Sequence, residues 1–216
     1  MTKRKPPATT KAKTADHGGG ESGISSEDLT SLFSSSPIES LSLASLGTYM
    51  FFDEVDAETV WPVCEFIIKA NFIFDEKMKL TLIMNTPGGN AYDGFALVDT
   101  MDTSRLPIST LAIGHVCSMG TVIFTAGTPG HRVMTRNSYM MMHQYSDFME
   151  GKYHEFVAHR PHQDDLQDRF IKHFLTRTKM KEKQVRSLLL GKNDEWITAK
   201  DALRMGLCDR VQNPWE

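Results

Sequence analysis

The sequence predicts an α/β protein built on a parallel sheet, and three observations carry the prediction. Short apolar runs at 49–52, 80–84, 108–113 and 138–142 alternate with longer segments whose apolar residues recur at helical spacing. Strands alternating with helices in this way form parallel βαβ units with both sheet faces covered. The second run closes on the turn Asn85-Thr86-Pro87-Gly88-Gly89. With 216 residues and 40% hydrophobic content, the chain is long enough for one domain with a real core.

Taken in order, Tyr49-Met50-Phe51-Phe52 reads as a short buried strand. Residues 57–71 place Val60, Val63, Cys64, Ile67 and Ile68 at helical spacing, and Leu80-Thr81-Leu82-Ile83-Met84 is the second strand. A helix fits 91–104, a strand 108–113, a helix 118–126 and a strand 138–142. Residues 155–178 read as largely helical, with Leu166, Phe170, Phe174 and Thr178 four apart, and Pro161 is expected to start or kink that helix. A shorter helix at 181–190 ends before Gly191; another at 199–205 is stopped by Gly206, ahead of a closing strand near Cys208–Val211. Residues 1–36 are rich in Lys, Thr, Gly, Ser and Pro and bury too little apolar area to offset their ordering entropy. They are expected to form a flexible arm, which leaves 37–216 as the folded domain.

Charge and cysteine usage narrow the function classes. Lys plus Arg number 24 against 27 Asp plus Glu, a net charge of −3 that calls for neither nucleic acid nor an anionic membrane as partner. Cys64, Cys117 and Cys208 are scattered and odd in number, which argues against a disulfide scaffold or a cysteine zinc site and for a reducing, cytoplasmic home. No apolar run approaches the ~20 residues that cross a bilayer. Lys3, Arg4 and Lys5 are followed by no apolar stretch, so a secretory signal is not expected; the same segment lacks the apolar face of an amphipathic presequence.

Four short segments bear on chemistry. In Gly114-His115-Val116-Cys117-Ser118-Met119-Gly120, Ser118 falls between a strand and an apolar helix. A serine at that turn lies near the positive end of the helix dipole, where backbone N–H groups can stabilise an oxyanion. A serine at a helix start is more often a plain N-cap. His143 follows the apolar run Met140-Met141-Met142, at the C-terminal end of a buried strand, where sites form in parallel sheets. Asp194 precedes Trp196 and Ile197, which are expected to anchor its loop against the core; on its own it reads as a loop carboxylate. Gly88 and Gly89 permit positive φ and close backbone approach, and such a turn could supply an oxyanion-hole amide and an edge for an extended peptide. The Walker pattern of a phosphate loop is absent there.

Together the four segments resemble the ClpP family, the proteolytic subunit of the Clp protease, over about residues 80–211. Asn85-Thr86-Pro87-Gly88-Gly89 is similar to its Asn-Ser-Pro-Gly-Gly turn, and Cys117-Ser118-Met119-Gly120 to its Ala-Ser-Met-Gly motif. Met142-His143-Gln144 resembles Ile-His-Gln, and Asp194 with the following Trp-Ile-Thr-Ala resembles the family's acid segment. Ala202 to Asp209 resembles its Ala-x-x-Tyr-Gly-Leu-(Val/Ile)-Asp ending. The resemblance implies a ClpP/crotonase-like spiral of βαβ units with a strand–helix handle at about 144–180. It implies a serine endopeptidase with Ser118 as nucleophile, His143 as general base and Asp194 orienting it, and Gly88 and Met119 as oxyanion-hole amides. No cofactor or metal is implied. The implied partners are polypeptide substrates, identical subunits in heptameric rings stacked in pairs, and an AAA+ unfoldase.

The sequence departs from the family where its subunits meet. Tyr145 stands for the usual Pro after His-Gln, Ser146-Asp147-Phe148-Met149-Glu150-Gly151 replaces a Gly-rich handle strand, and Asn193 takes the place of an Arg that bridges rings. Such divergence fits a specialised relative, for instance a viral maturation protease. Leu166, Phe170 and Phe174 on a projecting handle are expected to need a partner subunit to bury them.

Rival readings are weaker. His154 and His159 are five apart, ~140° around a helix, so they do not form a zincin pair. His131, His154, His159, His162 and His173 are expected at the surface, and Met140-Met141-Met142 is expected as strand core. A Ser-Lys dyad through Lys152 or Lys172 gives way to the triad. A silent ring subunit would mark itself by a lost triad member, and an acyl-CoA enzyme of the crotonase type would need no such set.

Overall fold

The computed structural model describes residues 42–212; the expected arm, 1–36, lies outside the described residues. Five strands run parallel in the order β1-β2-β3-β4-β7, formed by Thr48–Phe51, Leu80–Thr86, Ile108–Cys117, Arg132–Met134 and Arg210–Val211. Two more, β5 (Tyr139–Met142) and β6 (Glu195–Thr198), attach at one place only: β5 runs parallel to β3, and β6 pairs antiparallel with β5. Among the described residues a 3-10 turn at Leu43–Leu46 precedes β1, and six α-helices follow: α1 (Ala57–Ile73), α2 (Ala91–Asp102), α3 (Met119–Thr125), α4 (Tyr153–Arg177), α5 (Glu182–Leu189) and α6 (Ala199–Met205). The α/β class with a mostly parallel sheet is as the sequence predicts.

Local chemistry sets several boundaries. Asp56 accepts from the Thr59 amide at 2.8 Å while its own amide donates to the Thr59 hydroxyl at 3.1 Å, a capping box that starts α1. Asn90 caps α2 through the Tyr92 amide. β2 buries alternate residues, Leu80, Leu82, Met84 and Thr86, so one face packs on the helices. α3 is buried along its whole length, as a helix inside the core must be.

β3 is longer than expected and changes partner midway. Its first half, Thr110–Ala112, pairs with β4, and its last residues, His115–Cys117, pair with β5. Between them Gly114 has φ +69°, and a Cβ there would meet Asn85 Oδ1 at 2.7 Å. Asn85 is the irregular residue of β2, between Met84 and Thr86, and its Oδ1 accepts from the His115 amide at 3.1 Å. The bulge and the glycine together redirect β3 toward β5.

Several expectations need correction. The Leu166, Phe170 and Phe174 stripe is 8%, 8% and 1% exposed, buried within its own subunit. The reason is that α4 lies against α3, and Phe170 meets Phe95 of α2 at 5.2 Å between ring centres. α4 begins at Tyr153 and runs through Pro161, so the proline does not start it. Its start is fixed by the Lys152 amide donating to Glu155 Oε2 at 2.6 Å. The segment between β5 and α4 pairs with no strand of the described residues. β4 and β6 were not expected as strands. His173 is buried, its Nε2 2.8 Å from the Thr125 hydroxyl. Burial first, and Arg177 second, push its pKa down to about 3.

Candidate active site

Strand register brings the sequence-predicted residues together. Cys117 aligns with Met141 across the parallel β3–β5 ladder, so Ser118 and His143, just beyond the two strand ends, become neighbours. Met142 aligns with Glu195 across the antiparallel β5–β6 ladder, so Asp194 arrives beside His143. The turn after β2 supplies Gly88 at the same edge. The C-terminal ends of three parallel strands therefore meet here, where a parallel sheet leaves room for a ligand.

Ser118 is the only non-glycine among the described residues with positive φ, at φ 50° and ψ −122°. Such a conformation persists only where surrounding bonds impose it. The Ser118 amide donates to Met141 O at 2.8 Å, and its carbonyl accepts from the Thr121 amide at 3.0 Å. The Thr121 hydroxyl lies 3.2 Å from both Val116 O and Met141 O, joining the ends of β3 and β5. Ser118 precedes α3 without making a side-chain cap. Its hydroxyl instead lies 2.8 Å from His143 Nε2. With the ring proton on Nδ1, Ser118 donates to Nε2.

Asp194 stands farther off. Its Oδ1 is 3.8 Å from His143 Nδ1, too long for a hydrogen bond, and its side chain is 59% exposed. Its charge is nonetheless felt nearby: burial foremost, with Asp194 contributing, pushes the Cys117 thiol up to about 11. Cys117 is thus a protonated, inert neighbour of the serine. The expected anchor is half right. Ile197 is 5% exposed and faces Met140 across the ladder, whereas Trp196 is 59% exposed on the other face.

Gly88 lies close against the backbone around Met119. Gly88 has φ +94°, and a Cβ there would lie 2.6 Å from Cys117 O and 3.0 Å from Met119 N. Only glycine fits so close to the Ser118 turn. Met119 N is at the first position of α3, where no intrahelical acceptor exists. The Gly88 amide donates to Thr86 Oγ1 at 3.1 Å, a contact that sequence reasoning gave no signal of.

A cavity of about 500 Å³ opens on this corner. Ser118, His143, Gly88 and Met119 line it, and Val122, Leu166, Phe170, Phe174 and Leu189 give it an apolar wall. Tyr145 and Asp147, from the segment before α4, line it as well. No group of three or more His, Cys, Asp or Glu side chains among the described residues is arranged to hold a metal ion. His159, one of the supposed zincin pair, bonds Asp147 Oδ2 at 3.1 Å instead. No helix among the described residues is long and apolar enough to cross a membrane.

The family model described as Clp protease matches residues 47–214. That span takes in every strand and α-helix among the described residues and every residue of the corner just described, and the chain belongs to the Clp protease family.

Proposed function

We propose that the protein is a serine endopeptidase in which Ser118 is the nucleophile, His143 the general base and Asp194 the residue that orients His143. The observation that carries this reading is the 2.8 Å approach of Ser118 Oγ to His143 Nε2, at a strained strand-to-helix turn facing a cavity. Ser118 Oγ attacks the carbonyl carbon of the scissile bond as its proton passes to Nε2. The oxyanion is held by the amides of Met119 and Gly88, the latter exchanging its 3.1 Å bond to a neutral hydroxyl for a stronger, charge-assisted one. Collapse breaks the C–N bond, and His143 returns the proton to the leaving amine. Water, deprotonated by His143, then hydrolyses the acyl-enzyme. Asp194 closes its 3.8 Å gap when His143 becomes an imidazolium, since catalytic contacts tighten as charge develops. No cofactor is needed.

The substrate class is unfolded or partner-delivered polypeptide, cut within a chamber of identical subunits in the cytoplasm. Heptameric rings stacked in pairs, served by an AAA+ unfoldase, are the assembly that family membership suggests. The apolar surface that supports assembly is on α1 rather than α4: Trp61, Ile68 and Phe72 share one helix face and are 70%, 51% and 86% exposed. Sedimentation at micromolar concentration tests this part; a fully active monomer would contradict it.

A second reading, a catalytically silent ring subunit, draws on the two loose features of the corner: the unformed Asp194–His143 bond and the occupied Gly88 amide. A fluorophosphonate probe and a fluorogenic peptide separate the two. The peptidase labels at Ser118 and hydrolyses, and Ser118→Ala does neither. An assembled wild-type protein that neither labels nor hydrolyses would leave the silent reading standing.

A further inference from the structure

Resting on the peptidase reading, we propose that the cavity beside Ser118 selects peptides carrying a cationic side chain close to a bulky apolar one, and that Asp147 is the residue that sets this choice. The apolar requirement follows from the wall formed by Val122, Leu166, Phe170, Phe174 and Leu189, most of which are buried and cannot turn away to offer water-like partners. The charge requirement follows from what else faces the cavity. Among the described residues its lining contains two carboxylates, Glu54 and Asp147, and neither a lysine nor an arginine.

Asp147 is fixed in place. Its Oδ2 accepts from Gln163 Nε2 at 3.0 Å and lies 3.1 Å from His159 Nε2, both on α4. The Gln163 bond foremost, then His159, holds its carboxyl below the usual carboxylate range, so it stays ionised wherever the protein works near neutral pH. The segment that carries it is braced too. The Tyr145 hydroxyl donates to Gln163 O at 3.0 Å, and its ring stacks on Phe170 at 6.0 Å. The nearby cation Arg160 is engaged with Asp164 at 3.0 Å. Glu54 adds a second negative charge from the loop between β1 and α1. A braced carboxylate loses little entropy on pairing, and a cleft with one sign of charge concentrates ligands of the other.

Internally quenched peptide pairs, identical except for Arg or Gln at one position flanking a central Leu, give the test. At one or more positions the Arg member is expected to have a kcat/KM about fivefold higher, the upper range for a solvent-accessible ion pair. Asp147→Asn removes most of that preference, Asp147→Lys inverts it in favour of a Glu-containing peptide, and Glu54→Gln lowers it by a smaller part. The same pairs are also bound to the Ser118→Ala protein, by fluorescence anisotropy, where no chemistry is required. Equal binding of Arg and Gln members at every position, or a ratio that survives Asp147→Asn, overturns the inference. A binding preference that depends on Asp147, with none of the peptides hydrolysed by the wild-type protein, sustains the inference and removes the peptidase reading instead.

Discussion

His143 stands between two neighbours that the fold holds in different ways. Ser118 belongs to the core: its flanking residues Cys117 and Met119 are 3% and 2% exposed, and its amide and carbonyl are both bonded. Asp194 belongs to a short polar loop, is mostly exposed, and reaches the site only because β6 happens to align with β5. One side of the imidazole is therefore built with the sheet, and the other is delivered by an edge. The contrast teaches that the proposed nucleophile is held by the core, while the proposed orienting acid is set by a local and adjustable contact.

Substitution on the rigid side should have the largest effect. Ser118→Ala is expected to lower kcat by about four to six orders of magnitude with the fold retained. Near wild-type turnover in that variant would remove Ser118 from the mechanism. On the adjustable side, Asp194→Asn is expected to cost about one to two orders less than Ser118→Ala, because a carboxylate reached only on protonation contributes less than the attacking atom. Equal losses, measured as single-turnover rates, would show that the two sides are not distinct.

Beneath the rigid side lies a titratable group that sharpens the comparison. His173 sits against α3 with a pKa of about 3, against 6.5 when unfolded. Below pH 6.5 the unfolded chain gains a proton that the folded chain refuses, so stability falls as pH drops from 6.5 toward 3. At pH 5 this group alone is expected to remove about 2 kcal/mol relative to pH 7.5. His173→Gln should flatten that part of a urea-melt pH profile; an unchanged slope would mean that other groups carry it. The smallest effect concerns strain. Ser118→Gly relieves a positive φ that Ser118→Ala keeps, and should be more stable than the alanine variant by ~1 kcal/mol in the same melts.

The sequence made the rigid side legible and the adjustable side less so. Ser118 and His143 follow strongly apolar runs, and their type, order and motif were readable before any pairing was known. Asp194 was found by resemblance, but its strand was not, because Gly191-Lys192-Asn193-Asp194 is polar and only Glu195–Thr198 pairs. β4 escaped because three residues show no periodicity. The apolar stripe of α4 was read, but a stripe does not say what covers it. A signal for His173 was present: it lies three after Phe170 and one before Phe174, inside that stripe. Register, which places the acid and the two amides, depends on long-range pairing that no local window contains.

The midway change of partner in β3 has a consequence for how this corner fails. β5 and β6 are joined to the other five strands only through His115–Cys117, past the Gly114 bend. If they detach, His143 and Asp194 leave the site while β1, β2, β3, β4 and β7 stay paired. Such an opening exposes less surface than global unfolding, so it has a weaker denaturant dependence and a lower free energy. Amide exchange in β5 and β6 is then expected to report a sub-global event, and heat to open this corner before it melts the sheet.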